Sequence, residues 1–171
     1  MNSKRALTLI ACILLLGLIP VFGQGARGKA ELKAGNGSIT LDYGRPSLKG
    51  RDMLSQLQVG QFWRIGSNQA TVLTTPVDLN FGAIKVPAGS YSLWLKRAEQ
   101  ESFELVFNSQ TGQWGTQHDV SKDVYAAPMK KESQSTSTET LTIELKPAPG
   151  GGTLVLDWGN SLLSADFKFA Q

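Results

Sequence analysis

The sequence predicts an all-β domain: an antiparallel β-sandwich, with a closed β-barrel as the alternative and at most one short helix. Apolar residues alternate with polar ones at period two along most of the chain beyond residue 38. Gly, Pro and Asn clusters separate these runs at spacings suited to short antiparallel strands. Only Asp52 to Leu57 reads as helical, for about a turn and a half.

The N-terminus reads differently. Lys4 and Arg5 precede an apolar run, Ala6 to Phe22, interrupted by Thr8, Gly17 and Pro20. Val21 and Gly23 then suit the −3 and −1 positions of a cleavage site, with a second cut conceivable after Gly25. This is the layout of a secretion signal over residues 1–23. It is short for a membrane span, which needs roughly 20 apolar residues. Leu9-Ile10-Ala11-Cys12 has the look of a lipid-attachment box. The residues after Cys12 stay apolar, which favours an ordinary cut over a lipid anchor. The expected location is periplasmic or extracellular, with no stable membrane span after cleavage.

Residues 24–37 are rich in Gly, Ala and Lys and read as a flexible lead-in to a single β domain over 38–171. Its first strand carries Ile39, Leu41 and Tyr43 on one side. Strands are expected over Ala70–Thr75, Val77–Phe81 and Ala83–Val86. Tyr91, Leu93 and Leu95 then share a face, with Trp94 opposite. Phe103, Leu105 and Phe107 follow, and, after a polar Ser/Thr-rich stretch from Lys130 to Glu139 read as a solvated loop, Leu141, Ile143 and Leu145. Past the Pro147–Gly152 turn come Leu154, Leu156 and Trp158. Gly159-Asn160-Ser161 reads as a last tight connection before Leu163, Ala165, Phe167 and Phe169.

Charge narrows the partners. The chain has 17 basic and 14 acidic residues, a net +3, which falls to +1 once Lys4 and Arg5 are removed. No bulk basic field points to nucleic acid. Cys12 is the only cysteine, so the mature domain relies on its core and not on disulfides.

The densest segment outside the core runs Asp42-Tyr43-Gly44-Arg45-Pro46-Ser47-Leu48-Lys49-Gly50-Arg51. A second run, Trp63-Arg64-Ile65-Gly66-Ser67-Asn68-Gln69-Ala70-Thr71, follows it, with Pro87-Ala88-Gly89, Tyr91, Leu93 and Gln113-Trp114-Gly115 further on. Taken in this order, these elements resemble the DUF2911 family of exported bacterial proteins of unknown function. The resemblance implies export and a β-rich domain, and no reaction. Members often carry Glu where this chain has Gln69, which removes a carboxylate from that position.

Read as chemistry, Arg45, Lys49, Arg51 and Arg64 are clustered cations, with Tyr43 and Trp63 interleaved. Guanidinium forks bind carboxylate, phosphate or sulfate, and aromatic faces stack on sugars. Asn68 adds an amide, and Trp114 is a loop aromatic able to line a site. The candidate site is therefore Tyr43, Arg45, Lys49, Arg51, Trp63, Arg64, Asn68 and Trp114, for a small anionic or carbohydrate ligand. The competing reading is structural, with Arg64 paired to Asp42 and Trp63 in the core.

Enzyme signatures are thin. His118 is the only histidine and reads as a solvent-facing loop residue. There is no nucleophile elbow, phosphate loop or dinucleotide fingerprint. One histidine is too few for an ordinary zinc site, and Asp119 and Asp123 lack calcium-loop spacing. A hydrolase would need paired carboxylates, such as Asp42 with Asp157 or Asp119. No catalytic residue, metal or cofactor is assigned. Three readings stand: a binding module, a structural envelope protein without a ligand, and a hydrolase.

Overall fold

A computed structural model describes residues 26–170. The expected leader, its two cleavage points and Cys12 lie outside the described residues. Ten strands form one continuous antiparallel sheet: β1 (Arg27–Ala34), β2 (Gly37–Gly44), β3 (Phe62–Arg64), β4 (Thr71–Thr75), β5 (Leu79–Phe81), β6 (Ile84–Val86), β7 (Gly89–Arg97), β8 (Phe103–Asn108), β9 (Asp123–Ala148) and β10 (Gly151–Phe169). Their order is β1-β2-β4-β7-β8-β9-β10-β5-β6, and β3 joins β7 beyond the end of β4. The two end strands do not pair, so the sheet is not closed into a barrel.

The sheet folds over on itself because β9 is long. Its first part, to Met129, pairs with β8, and Lys130 onward pairs with β10. The inward residues of both halves meet in one core. Phe107 of β8 lies against Phe81 of β5 at 5.3 Å between ring centroids, and Phe81 against Phe167 of β10 at 5.4 Å. Leu41, Leu73, Leu93, Leu105, Leu141, Leu154 and Leu163 are essentially inaccessible in the same cluster. Each such side chain contributes roughly 1.5–3 kcal/mol by leaving water. The alternation that predicted the strands thus also selects the core face.

The expected short helix is present as α1 (Met53–Gln56). Asp52 caps it by accepting the Ser55 N–H at 3.1 Å, and Leu54 anchors it in the core. After β2 the chain is stitched sideways to β9: the Leu48 N–H donates to Glu139 O and the Leu141 N–H to Pro46 O, both at 2.9 Å.

Three local expectations are corrected. Residues 27–34 are not a flexible lead-in but strand β1, paired along its whole length with β2. Ala30 and Leu32 pack on the core and Ala34 is buried within it, a period-two signal muted by small side chains. Lys130–Glu139 is not a loop but part of β9, its Ser and Thr residues being compatible with an exposed strand. Gly159-Asn160-Ser161 does not separate two strands. β10 continues through it, and the register with β9 shifts there as β9 bulges outward. The Asn160 amide ties that bulge by donating to Gln134 O at 3.1 Å.

Candidate functional site

The outer face of the sheet is built at β3 and β7. In register, Phe62 faces Lys96, Trp63 faces Leu95 and Arg64 faces Trp94. Strand alternation turns Trp63 inward, where it stacks on Trp158 at 5.0 Å with the rings 13° apart. Phe62 and Arg64 share the outer face with Trp94. There Trp94, Ala70 and Val106 form a small second cluster, with Phe62 packed on it. Trp94, on the face opposite Leu93 and Leu95, is thus buried in a second cluster of its own. Beneath it the Ser92 hydroxyl, fully buried, accepts from Trp94 Nε1 at 3.1 Å and from Gln113 Nε2 at 2.8 Å.

The loop after β8 closes over this face. The Ala70 N–H donates to Gln113 O at 3.1 Å and the Gly115 N–H to Asn68 O at 2.7 Å. Asn68 sits at φ 63°, a left-handed conformation that asparagine tolerates better than most residues. Residue 115 must be glycine: a Cβ there would lie 2.5 Å from Arg64 Cδ and 2.8 Å from Asn68 O. This close approach lets the loop lay His118 flat on Trp94, with ring centroids 4.1 Å apart at 13°. Phe62 meets the imidazole edge-on at 4.7 Å.

A polar chain holds His118 in place. Its Nε2 lies 2.8 Å from Asp123 Oδ1, and that oxygen also accepts from Asn108 Nδ2 at 2.7 Å. The Asn108 amide is pinned at both ends by backbone. It donates to Asp119 O at 2.8 Å and accepts the Gln110 N–H at 2.9 Å. The His118 and Asp123 side chains are only 11% and 17% exposed, so the pair is held away from bulk water. His118 is therefore not the solvent-facing loop residue expected from its surroundings in the sequence.

Phe62, Trp63, Arg64, Trp94, Thr116 and His118 line a groove of about 370 Å³. That is within the size range of small-molecule sites, roughly 300–1,000 Å³. Arg64 is distinctive in it. Arg27 pairs with Asp42, and Arg45 donates to Leu141 O and Thr142 Oγ1. Arg51 donates to Leu48 O, and Arg97 to Leu57 O and Gln100 O. Among the described residues, the Arg64 guanidinium alone of the arginines has neither an ion pair nor a hydrogen bond. The pairing of Arg64 with Asp42 entertained from sequence does not occur, because Arg27 takes that carboxylate from the neighbouring strand.

The eight candidate residues divide. Trp63 and Arg64 line the groove, with Asn68 and Trp114 beside it: the Asn68 carbonyl holds Gly115, and Trp114 bridges Gln69. Tyr43 is buried in the core, where its hydroxyl accepts the Ile143 N–H at 3.0 Å. Arg45 braces β9. Lys49 and Arg51 flank the turn against β9, where the Lys49 N–H donates to Glu139 Oε1 at 3.0 Å. Arg51 borders a separate depression of about 270 Å³ with Asp52, Glu139 and Asn160.

The carboxylates considered for hydrolysis do not gather. Asp42 holds Arg27, and Asp157 accepts Gln134 Nε2 at 2.6 Å. Asp119 caps a turn through the Ser121 hydroxyl and N–H, in that order, which hold its carboxyl below the ordinary range. Among the described residues no three His, Cys, Asp or Glu side chains group as metal ligands, and no helix is long and apolar enough to cross a membrane. Sequence reasoning missed Phe62 and the His118–Asp123 pair. The alternation across Phe62-Trp63-Arg64 was the available signal for the first. Nothing local announces the second.

A family model described as "Protein of unknown function (DUF2911)" matches residues 26–167, nearly the whole described domain. The chain belongs to that family. No curated protein and no solved structure matches it.

Proposed function

We propose that this member of the DUF2911 family is a binding module for a small anionic ligand, carboxylate, sulfate or phosphate in character, taken up in the groove with Arg64 as its anion-binding fork. The observation that carries the reading is the unused guanidinium. Arginine stays charged at any physiological pH and offers five donors in a planar fork. Where the described residues supply no acceptor for them, the oxygens of an anion can. Half-buried Phe62, on the same face, adds apolar wall beside it, the arrangement expected of a site that orients a small molecule through few polar contacts.

The His118–Asp123 pair keeps the hydrolase reading in view as the second choice. The dispersal of Asp42, Asp119 and Asp157 to other partners favours binding over paired-carboxylate chemistry. The layout of residues 1–23 supports a domain that works outside the cytoplasm. N-terminal sequencing of the secreted product should then begin at Gln24 or Ala26; a retained Met1 overturns export, and an acylated Cys12 replaces release with a lipid anchor.

The test of binding is a thermal-shift titration at constant ionic strength with acetate, sulfate, phosphate and glucuronate. A ligand at 100 times its Kd stabilises the native state by about 2.7 kcal/mol. Wild type should show a saturable rise with at least one of these anions, and Arg64→Gln should lose it while keeping its own midpoint. No saturable shift with any of them, or an equal shift in Arg64→Gln, overturns the reading and favours a purely structural domain.

A further inference from the structure

We infer that His118 presents an unprotonated Nδ1 to the groove as a hydrogen-bond acceptor, so that the preferred ligand is an anion that also carries a hydroxyl donor, as an acidic sugar does. This rests on the anion-binding reading of Arg64 and deepens it by naming the ligand class.

The backbone groups at the ends of the polar chain orient every member of it. The Gln110 N–H can only donate, so the Asn108 atom it meets is the carbonyl oxygen. The Asp119 backbone oxygen can only accept, so the Asn108 atom it meets is the amide nitrogen. The orientation of the amide is thereby fixed twice over. The same nitrogen donates to Asp123 Oδ1, and a carboxylate oxygen has no proton to return. His118 Nε2, 2.8 Å from that oxygen, must therefore carry the ring proton. In a neutral imidazole Nδ1 is then a bare lone pair, and it has no hydrogen-bond partner among the described residues.

Stacking on Trp94 and the edge of Phe62 hold the ring plane, so the acceptor cannot swing away. Arg64 faces the same Trp94 across β3 and β7. A donor-only fork and an acceptor-only nitrogen thus line one groove. An anion satisfies the fork alone, and a bare carboxylate brought near Nδ1 meets a second lone pair. A hydroxyl on the same ligand satisfies both ends.

The probes are glucuronate and cyclohexanecarboxylate, which share a six-membered ring and a carboxylate and differ in the hydroxyls. One hydrogen bond of ordinary net strength, about 0.5–1.5 kcal/mol, corresponds to roughly 2- to 12-fold in Kd. Calorimetry on the full chain should show glucuronate binding tighter by that factor. His118→Phe, which retains an aromatic ring on Trp94, should bind both acids alike. Because His118 is the only histidine, its ring nitrogens can also be read by 15N NMR without any variant. The free protein should show the Nε2-protonated tautomer, and the Nδ1 signal should move with glucuronate and stay with cyclohexanecarboxylate. A protonated Nδ1 in the free protein at neutral pH, or equal responses to the two acids, overturns the inference. Failure of wild type to bind either acid overturns the inference, and the anion-binding reading falls with it only if acetate, sulfate and phosphate also give no saturable shift. Equal binding of both acids that Arg64→Gln abolishes leaves that reading standing and removes only the role of His118.

Discussion

Tyr43→Phe separates a ligand-binding role for Tyr43 from a folding role, and its size follows from the geometry. The hydroxyl is buried and accepts the equally buried Ile143 N–H at 3.0 Å, joining β2 to β9 across the fold. Phenylalanine keeps the ring against which β1 is packed; a Cβ at Gly28 would lie only 2.6 Å from Tyr43 Cζ. What is lost is one acceptor, and what remains is a backbone N–H with no water to turn to. Orphaning such a donor costs about 1–3 kcal/mol. For a domain of this length, each kcal/mol moves the thermal midpoint by roughly 2–4 °C. Urea denaturation followed by tryptophan fluorescence should show a lower midpoint with an unchanged slope, the signature of lost stability without a change in the surface exposed. Anion binding at the groove should persist in the variant. A stability within about 0.5 kcal/mol of wild type, the size of an ordinary surface substitution, would refute the buried-acceptor argument. If binding were lost as well, Tyr43 would return to the ligand site.

Two further outcomes test the frame around the site. Gly44→Ala should destabilise by about 3 kcal/mol or more, beyond the ordinary cost of overpacking, because the added Cβ would lie 2.1 Å from the Ser67 backbone oxygen; a midpoint equal to wild type would show that the 65–70 loop is free to move. Asp78 is held below its ordinary pKa of 3.8, first by the Lys85 ammonium and then by the Ala88 N–H. Its folded-state value is the lower one, so its contribution is present above the unfolded value and disappears as pH falls through the folded value. Asp78→Asn should therefore be less stable than wild type at pH 7 and match it in acid, and a stability gap independent of pH would contradict this.

Much of the architecture is legible in the chain because a strand carries its own signature. Leu41, Leu93, Leu105, Leu141 and Leu154 lie on the core face that alternation assigns them, and α1 starts at the Asp52 cap. The misreadings fall where the signature is weak. In β1 the inward residues include two alanines, and in the middle of β9 both faces are wet, so neither stretch shows contrast at period two. The 130–139 stretch is a strand only because β10 lies beside it.

The sequence by itself determined the all-β class, the core faces and membership of the family, since each depends on residue order along a strand or on motifs within a segment. Only the tertiary structure decided the site. It sent Tyr43 and Arg45 to brace β9, gave Asp42 to Arg27, and left Arg64 without a partner among the described residues. It also brought His118 onto Trp94, 24 positions earlier in the chain, and onto Phe62, 56 positions earlier. Which charge finds a partner and which ring finds a face depends on pairing between distant strands, and no local pattern encodes it.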